Sequence, residues 1–338
     1  MIVTLAPRGD VRAVQAKLAA LGLWTTEHRA FGRVQLLVEP HSSGVDPGVV
    51  RAVDGVESVA VRAPIAPKLE RADNVVRIGE VALGSGLPPV VMAGPCAVES
   101  EEQIHEAAKK LGKTGVRFLR GGAFKPRTSP YSFEGHGERA LRWMREAADA
   151  HGLLVVTEAM APEQVPSVAM AADLIQVGSR NMYNYPLLHA VGAVHKPVLL
   201  KRAFSATIDE WLLAAEHCLS HGAAAIILCE RGIRGFDSQT RNVLDLGAVA
   251  LLAHVHRLPV VVDPSHAAGR RDLVRPMSRA AVAAGAAGLL IEVHDAPGNA
   301  LSDGPQALGV RELRALLDEL GVVASEHERS HAWPAAHP

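Results

Sequence analysis

The segment PVLLKRAFSATIDEWLLAAEHCLSHGAAAIILCERG, residues 197–232, contains the unit from which we predict the fold. Its two ends, PVLLKRA and AIILCERG, are short and almost continuously apolar, and the stretch IDEWLLAAEHCLSHG between them is predicted to form a helix. Strands that are apolar along their whole length are buried on both faces, as the strands of parallel sheets are. We therefore interpret the segment as a strand–helix–strand unit of a parallel sheet.

The same unit recurs along the chain from residue 88 onward. Apolar segments separated by helical ones are predicted to be the strands VVMAGPC, VRFLRGG, LLVVTEA, DLIQVGS, PVLLKRA, AIILCERG, PVVVDPSH and GLLIEVH. Eight β/α units within about 230 residues predict an α/β fold, a (β/α)8 TIM barrel over residues 88–322. A doubly wound open sheet is the alternative, but it does not require eight equivalent units, and no G-x-G-x-x-G motif follows a predicted strand.

Residues 1–66 are predicted to form a separate small domain. Between MIVTLA and ESVAVRA the predicted order of elements is β-α-β-β-α-β, which is that of a ferredoxin-like α+β domain. Residues 67–87 are predicted to form a charged, proline-containing linker and a short hairpin. Residues 323–338 are polar and contain proline and histidine, so we expect a disordered tail.

The composition argues against several classes of function. The formal net charge of the 338 residues is −1, so no overall field favours nucleic acid or an anionic membrane surface. Aromatic residues make up 4% of the chain, which is few for a base-stacking surface. The three cysteines are widely spaced and odd in number, which argues against a disulfide framework. We find neither a signal peptide nor a run of roughly 18 apolar residues that would predict a membrane span. We expect a cytoplasmic protein without nucleic-acid or membrane partners.

Reactive side chains are predicted to end the strands, or in the case of Arg180 to lie just past one, on the side where the active site of a TIM barrel lies. In strand order these residues are Cys96, Arg120, Glu158, Arg180, Lys201, Arg231, His266 and Glu292. Nearly every strand is apolar until it ends in such a residue. Random surface charge would not select that location so consistently, so we predict that these side chains line one site.

One part of this predicted ring has the composition of a metal site. Cys96, His266 and Glu292 follow the first, seventh and eighth strands, which are neighbours once the barrel closes, and Asp303 can join them. A thiolate, an imidazole and two carboxylates suit a divalent transition metal, although this mixture does not select among Mn, Fe, Co, Zn and Cu. The alternative has Cys96 as a small core residue, His266 hydrogen-bonded to Asp263, and the acids in surface salt bridges.

The opposite part of the ring is basic. Its cations are Arg120, Lys125, Arg127, Arg180, Lys201 and Arg231. Converging cations repel one another unless an anion is present, and each phosphate carries about −1.5 to −2 charges at neutral pH. We therefore predict a site for two phosphates and a carboxylate, with the glycines of RGGAFKPRTS, residues 120–129, letting the backbone approach the ligand. For Arg127 alone, a solvated basic loop is the alternative.

The motifs that carry these residues resemble those of a known family. They are AGPCAVES, RGGAFKPRTSPYSFEG, QVGSRNMYN, LLKRAFSATIDEW, CERGIR, DPSHAAGRRDL and IEVH followed by ALSDGPQ. Together, and in this order along the predicted barrel, they resemble 3-deoxy-D-arabino-heptulosonate 7-phosphate (DAHP) synthase, in the subtype with a ferredoxin-like N-terminal domain. The resemblance implies a metal-dependent condensation of phosphoenolpyruvate with erythrose 4-phosphate and water, the first step of the shikimate pathway to aromatic amino acids.

The resemblance also implies a role for each motif residue. One divalent ion, Mn, Fe, Co or Zn, would be held by Cys96, His266, Glu292 and Asp303. Phosphoenolpyruvate would be bound by Arg120, Lys125, Arg180, Lys201 and Arg231. Erythrose 4-phosphate would be bound by Lys125, Pro126, Arg127 and Thr128, with Asp303 nearby. From the chemistry of the reaction, Lys125 is a candidate proton donor to the aldehyde oxygen, and the choice of water-activating group stays open between Glu158 and His266.

Two other functions and two roles of the N-terminal domain stay open. The related 3-deoxy-D-manno-octulosonate 8-phosphate synthases carry a KANRS-type loop where this chain has KPRTS, which favours the shorter aldehyde here. A non-catalytic, metabolite-sensing barrel is the second alternative. Residues 1–66 would either carry feedback inhibition by Tyr or Phe, or serve docking and oligomerisation. The resemblance suggests a homo-oligomer, a tetramer or a dimer.

Overall fold

The structure is a computed structural model that describes residues 1–7, 9–30, 32–39, 44–61, 63–125, 131 and 133–322. It divides into two compact units, Met1–Pro64 and the part that begins at Ile65. The predicted disordered tail, residues 323–338, lies outside the described residues. Among the described residues, no helix is both long enough and apolar enough to span a membrane.

The first unit is a small α+β layer structure. Its elements are β1 (Ile2–Leu5), α1 (Val11–Ala20), β2 (Thr25–Ala30), β3 (Arg33–Val38), α2 (Pro47–Arg51) and β4 (Val56–Ala60). The strands form one antiparallel sheet in the order β2-β3-β1-β4. Val3 and Leu5, which alternate on one face of β1, pack with Val14 and Leu18 of α1. The element order predicted from the sequence is therefore present in this unit.

The second unit contains a closed barrel of eight parallel strands, as predicted. The strands are β7 (Val90–Gly94), β8 (Phe118–Arg120), β9 (Leu154–Ala159), β10 (Leu174–Val177), β11 (Pro197–Lys201), β12 (Ala225–Glu230), β13 (Val260–Val262) and β14 (Gly288–Glu292). Pairing of β14 with β7 closes the barrel, with Glu292 opposite Gly94. The strand order follows the chain order, which is what right-handed β/α crossovers produce.

Helices separate the barrel strands. In chain order they are α3 (Glu101–Gly112), α4 (Glu138–Asp149), α5 (Val165–Ala171), α6 (Tyr185–Ala193), α7 (Ile208–Ser220), α8 (Leu246–Ala250), α9 (Pro264–Ala268), α10 (Arg271–Ala283) and α11 (Val310–Glu319). Helix α7 begins with a capping box, in which Thr207 and Glu210 satisfy each other's backbone N–H groups. The local sequence thus fixes where the helix starts.

A short hairpin closes the end of the barrel at which the strands begin. It consists of β5 (Val75–Ile78) and β6 (Val81–Gly84). Its residues Val76 and Leu83 belong to the apolar cluster of the barrel interior, together with Phe118 and Leu199. Leu154, at the start of β9, packs against the same cluster. The interior is therefore filled at this end, and the opposite end is left for polar side chains.

All eight barrel strands are shorter than the predicted apolar segments, so Cys96, Arg231 and His266 lie beyond the strand ends. Strand β13 ends at Val262, and His266 lies in α9 rather than at the end of a strand. The reason is local, because Asp263 caps the helix by accepting a hydrogen bond from the His266 N–H, and Pro264 occupies the first helical position. Strand β7 ends at Gly94, so Cys96 lies in the loop that follows it.

Candidate active site

Four potential metal ligands converge at the C-terminal end of the barrel. Cys96, His266, Glu292 and Asp303 each offer one donor atom, and these atoms all lie within 4.8 Å of one another. His266 Nε2 is 3.2 Å from Glu292 Oε1 and 3.9 Å from Asp303 Oδ2. Cys96 Sγ is 3.2 Å from the same Asp303 oxygen. The structure thus brings together the four residues that were predicted to form a donor set.

Glu292 is the most enclosed member of this set. It is the last residue of β14, and its side chain is 1% exposed. Its Oε1 lies 3.3 Å from Arg120 Nη1, and Gln306 Nε2 donates to its Oε2 at 2.5 Å. Its backbone N–H donates to Ser265 Oγ at 3.0 Å. Because each carboxylate oxygen has a partner, the orientation of Glu292 is fixed before any ligand arrives.

His266 is oriented by Asp263. Its Nδ1 lies 2.7 Å from Asp263 Oδ2, so the other nitrogen, Nε2, faces Glu292 and Asp303. Lys201 Nζ donates to the same Asp263 oxygen at 2.5 Å. Burial raises the pKa of Asp263, but His266 and Lys201 outweigh it and hold that pKa well below its usual range. The His266–Asp263 bond, considered from the sequence as an alternative to a metal ligand, here orients the ligand nitrogen.

Asp303 is held in a backbone conformation that a non-glycine residue seldom adopts. Its φ is +53°, in the left-handed region. Arg241 Nη2 donates to its Oδ1 at 3.2 Å, while its Oδ2 faces Cys96 and His266. Burial raises the pKa of Asp303, but His266 and Arg241 outweigh it and lower that pKa overall. Strained residues persist where the surroundings fix them, and such residues cluster at functional sites.

Cys96 is a buried thiol in the metal-free protein. Burial, with Glu292 adding to it, raises the pKa of Cys96 to about 12. Its Sγ lies 3.1 Å from Ser302 Oγ as well as 3.2 Å from Asp303. The donor set fits a divalent transition metal, since its atoms are close enough to contact one ion and their chemistry is that of such sites. Ligation by Cys96 would release its proton.

Arg120 and Lys125 connect this donor set to the basic side of the site. Arg120 is buried, and its Nη1 donates to the Pro95 carbonyl oxygen at 2.9 Å and to Glu292. Burial acts to lower the pKa of Arg120, but the charge of Glu292 outweighs it and raises that pKa. Lys125 Nζ donates to the Cys96 carbonyl oxygen at 2.9 Å and lies 3.0 Å from Cys96 Sγ. The predicted metal and anion subsites are therefore contiguous.

Arg231 and Arg180 face the same aromatic ring. The Arg231 guanidinium carbon is 4.7 Å from the centroid of Phe204, and that of Arg180 is 6.0 Å from it. Arg231 is buried, and its Nη1 has no hydrogen-bond partner among the described residues. Burial lowers the pKa of Arg231, which the charge of Asp263 only partly offsets. Two other buried donors at the site, Arg120 Nε and Ser179 Oγ, also lack hydrogen-bond partners in the part of the chain described.

Glu158 approaches the site from β9. Gln176 Nε2 of β10 donates to its Oε2 at 2.9 Å. Its other oxygen lies where a side chain at residue 178 would be, since a Cβ added to Gly178 would come within 2.1 Å of Glu158 Oε1. Glu158 also contributes to the raised pKa of Arg120. Gly178 therefore leaves the space that this carboxylate occupies.

The predicted site residues and those found in the structure differ in two ways. Pro126, Arg127 and Thr128 lie outside the described residues. Gln306 and Arg241, which contact Glu292 and Asp303, were not singled out from the sequence. Gln306 lies within the quoted motif ALSDGPQ, which was the available signal, whereas Arg241 lies in a loop with no pattern.

Comparison with known proteins identifies relatives of this chain. Residues 64–326 match the model of the DAHP synthetase I family. The chain is 50% identical over 282 residues to the phospho-2-dehydro-3-deoxyheptonate aldolase of Thermotoga maritima, covering 80% of this chain and 83% of that protein. It is 33% identical over 273 residues to the 2-dehydro-3-deoxyphosphooctonate aldolase of Methylobacterium radiotolerans, covering 75% of this chain and 95% of that protein.

Solved structures agree with this similarity. The crystal structure of the Thermotoga maritima phospho-2-dehydro-3-deoxyheptonate aldolase (DAHP synthase) matches with a TM-score of 0.75 at 44% identity, over 95% of this chain and 96% of that one. A truncated form of 3-deoxy-D-arabino-heptulosonate 7-phosphate synthase from the same organism matches with a TM-score of 0.69 at 48% identity, over 75% and 92% of the two chains. The resemblance seen in the sequence motifs is confirmed: the chain belongs to the DAHP synthetase I family of enzymes.

Proposed function

We propose that this enzyme condenses phosphoenolpyruvate with D-erythrose 4-phosphate and water, giving DAHP and phosphate. Membership of the DAHP synthetase I family supports a DAHP-forming aldol reaction. The charges and open hydrogen-bond donors of the site support the two phosphorylated substrates. The reaction is the first step of the shikimate pathway, and we assign it to the cytoplasm.

The observation that carries the proposal is the buried guanidinium of Arg231. Its Nη1 has no hydrogen-bond partner among the residues that the structure describes, and Arg180 faces the same Phe204 ring. Leaving a buried charged donor unpaired costs stability, so the site is built for an anion that supplies the acceptor. A phosphate group fits, because its oxygens accept from two guanidinium groups at once.

The two ends of phosphoenolpyruvate fit two groups of cations. Arg180 and Arg231 have no carboxylate partner within ion-pair distance among the described residues, so we assign them to the phosphate. Arg120 and Lys201 are already paired with Glu292 and Asp263, and we assign them, with Lys125, to the less charged carboxylate end. The arrangement would place the reacting carbon of phosphoenolpyruvate near the donor set, because Arg120 contacts Glu292 directly.

One divalent metal ion, Mn, Fe, Co or Zn, would be held by Cys96, His266, Glu292 and Asp303. When bound, it would supply Lewis-acid polarisation of a substrate oxygen. Proton transfer would be carried out by side chains of the protein. Lys125 is proposed to protonate the aldehyde oxygen as C3 of phosphoenolpyruvate bonds to the aldehyde carbon. Its Nζ lies 3.0 Å from Cys96 Sγ, at the boundary between the metal ligands and the cations, which is where that oxygen would lie.

Water must then add to C2 of the former phosphoenolpyruvate before phosphate leaves with cleavage of its C–O bond. Of the two bases considered, Glu158 and His266, we favour Glu158. The Nδ1 of His266 is bonded to Asp263, and its Nε2 would be a metal ligand, so neither nitrogen is free to take a proton. Glu158 has one oxygen bonded to Gln176, and its Oε1 has no hydrogen-bond partner among the described residues.

The aldehyde substrate needs a second subsite beside that of phosphoenolpyruvate. We propose that Lys125, Pro126, Arg127 and Thr128 bind erythrose 4-phosphate, with Asp303 close to its hydroxyl groups. The motif resemblance is the support for Pro126, Arg127 and Thr128. Lys125 and Asp303 lie on the donor-set side of the site, so an aldehyde there would face the bound phosphoenolpyruvate.

The first unit and the assembly are also matters of proposal. We propose that residues 1–66 form a regulatory domain through which Tyr or Phe inhibits the barrel of residues 88–322. Residues 67–87 would connect the two. We also propose that the protein is a homo-oligomer, either a tetramer or a dimer. Compactness of the first unit supports its independence from the catalytic residues, all of which belong to the second unit. Removal of residues 1–66 should leave activity and abolish inhibition by the aromatic amino acids. Inhibition that persists in the truncated enzyme would refute the regulatory role.

The test of substrate choice offers two aldehydes in parallel. The metal-loaded enzyme receives phosphoenolpyruvate with either erythrose 4-phosphate or arabinose 5-phosphate, and released phosphate and the sugar product are measured. Product from the four-carbon aldehyde at the higher kcat/KM supports the proposal. A preference for arabinose 5-phosphate would move the enzyme to the octulosonate reaction named for its more distant relatives. No product from either, with metal supplied, would leave a metabolite-sensing barrel.

A further inference from the structure

Three histidines meet on the outer helices of the barrel, apart from the proposed active site. His189 lies on α6, His217 lies in the last turn of α7, and His221 caps the C-terminal end of α7. His217 and His221 are four residues apart, which places them on one face of the helix. Two histidines at this spacing are a known metal-binding arrangement, and the neighbouring helix contributes the third.

The distance between the first two imidazoles fits a shared ion. His189 Nε2 lies 3.2 Å from His217 Nδ1. Two nitrogens bound to one tetrahedral Zn²⁺ at roughly 2.0–2.1 Å are about 3.3–3.4 Å apart, so these atoms already have the required separation. In the metal-free protein one proton can join the two nitrogens in a hydrogen bond, and an ion bound to both would displace that proton and lie to one side of the line between them.

His221 is held with the correct nitrogen available. Its Nδ1 lies 2.9 Å from the His217 carbonyl oxygen and 3.1 Å from Ser220 Oγ, and the tautomer that donates from Nδ1 to the carbonyl leaves Nε2 with its lone pair. A backbone carbonyl on the second nitrogen is the usual partner of a metal-bound histidine. The His221 ring stacks on that of His189, with centroids 3.7 Å apart and planes at 14°. It must therefore turn out of the stack to bring Nε2 to a shared ion.

The surroundings favour a metal that prefers imidazole. Within the described chain, no carboxylate lies within ion-pair distance of these three histidines, and the ring beside His217 is Tyr185, 4.6 Å away. Without carboxylate ligands the site offers little to Mg²⁺, Ca²⁺ or Mn²⁺, whereas Zn²⁺, Ni²⁺ and Cu²⁺ accept imidazole readily.

We propose that His189, His217 and His221 form a second metal site, for Zn²⁺ or a similar imidazole-binding divalent ion, that links α6 to α7. It is independent of the proposed catalytic ion, because none of its residues belongs to the donor set of Cys96, His266, Glu292 and Asp303. A bound ion would join the two helices by coordinate bonds in place of the His189–His217 hydrogen bond, so it would stabilise this part of the barrel wall.

The test counts ions on the full-length protein after removal of metal with a chelator. Zn²⁺ is added back against a chromophoric competitor, for the wild type and for His217→Ala and His189→Ala. His105→Ala is the matched control, because His105 is also a helical histidine and lies within 4.8 Å of two other potential ligands, the exposed Glu101 and Glu146. Histidines beyond residue 322 are common to all variants and cancel in the comparison.

The wild type should bind one Zn²⁺ more than His217→Ala or His189→Ala, with the affinity of that ion lowered at least about 10-fold in either variant. The count should be unchanged in His105→Ala. In a Cys96→Ala background, which weakens the catalytic site, added Zn²⁺ should still raise the Tm, and His217→Gln should remove that rise. Equal counts in the wild type and His217→Ala, or loss in His105→Ala instead, would overturn the proposal. Unchanged kcat of His217→Ala at saturating catalytic metal would show that the variant is folded.

Discussion

The two ends of the barrel interior have opposite characters, although the same eight strands build both. Where the strands begin, the interior is filled by apolar side chains such as Phe118 and Leu199, closed by Val76 and Leu83 of the hairpin. Where the strands end, the interior holds charged groups, among them Glu292 and Lys201, that are almost completely buried.

The difference separates the residues that stabilise the fold from those that make the site. Apolar burial contributes roughly 25 cal/mol per Å², so the closed end adds stability with no need for a ligand. Buried charges reduce it unless they are paired, and Arg231 has a donor without a partner among the described residues. Substitutions at the open end should therefore reduce activity without loss of stability, and substitutions at the closed end should do the reverse.

The largest effect is expected from Cys96→Ala. A Lewis-acid metal contributes several kcal/mol to a reaction of this kind, so the loss of one ligand should lower kcat by about 1,000-fold, with the Tm little changed. Steady-state rates and thermal unfolding of the same preparation measure both. Cys218→Ala is the matched control, since Cys218 is buried on α7 away from the donor set. Equal loss of activity in the two variants would mean that burial, and not ligation, is what matters at Cys96.

The next effect is expected from Arg231→Met, which removes the buried cation and keeps an apolar stem. Loss of a buried charged partner costs about 2–5 kcal/mol, so kcat/KM for phosphoenolpyruvate should fall roughly 100-fold or more. Because the guanidinium has an unsatisfied donor, the Tm should stay level or rise. Arg234→Met is the control, an exposed arginine at 5.9 Å from the same Phe204 ring. A large drop in Tm for Arg231→Met would show that Arg231 supports the fold.

The closed end is tested by Leu83→Ala. Leu83 is 1% exposed and packs in the interior cluster, so truncation should lower the free energy of unfolding by about 2–5 kcal/mol. The kcat of the folded fraction should not change, because Leu83 packs beside Gly288 at the start of β14, whereas the site residue Glu292 ends that strand. Leu87→Ala, at a half-exposed leucine beside the hairpin, should cost much less. Urea unfolding gives the stability, and a matching fall in kcat would contradict the separation of the two ends.

The smallest effect is expected from Gln306→Met, which keeps the volume and removes the donor to Glu292. A lost partner of a metal ligand costs about 10–100-fold in metal affinity, so the variant should need more metal for half-maximal activity and reach a similar kcat at saturation. The exposed Gln239→Met should behave as the wild type. Competition with a chelator measures the affinity, and an unchanged value would show that Ser265 and Arg120 suffice to orient Glu292.

The strand ends explain why much of the site could be predicted from the sequence. Lys201 and Glu292 each end an apolar run, and a closed parallel barrel brings such residues to one rim whatever the loops do. His266 lies with the other predicted ligand candidates, but its prediction as a strand residue was wrong. Its apolar run stops at Val262, where Asp263 and Pro264 start a helical turn instead.

The loops explain why the rest could not be predicted. Asp303 was a ligand candidate from its sequence position, but the left-handed backbone conformation that brings it to the donor set lies in a loop with no periodic pattern. Arg241 donates a hydrogen bond to Asp303, which is 62 residues away in the chain. Gln306 donates one to Glu292, which is 14 residues away. Long-range pairs of this kind depend on tertiary packing, and a single sequence contains no local signal for them.

The central claim is that the donor set and the cations form one metal-dependent site for phosphoenolpyruvate and erythrose 4-phosphate. It is tested most directly by following the absorbance of phosphoenolpyruvate when erythrose 4-phosphate is added to the enzyme before chelation, after chelation and after a divalent metal is restored. We predict consumption before chelation, none after it, and recovery with metal in the wild type but not in Cys96→Ala. Consumption that persists in the chelated enzyme, or that returns fully in Cys96→Ala, would contradict the account.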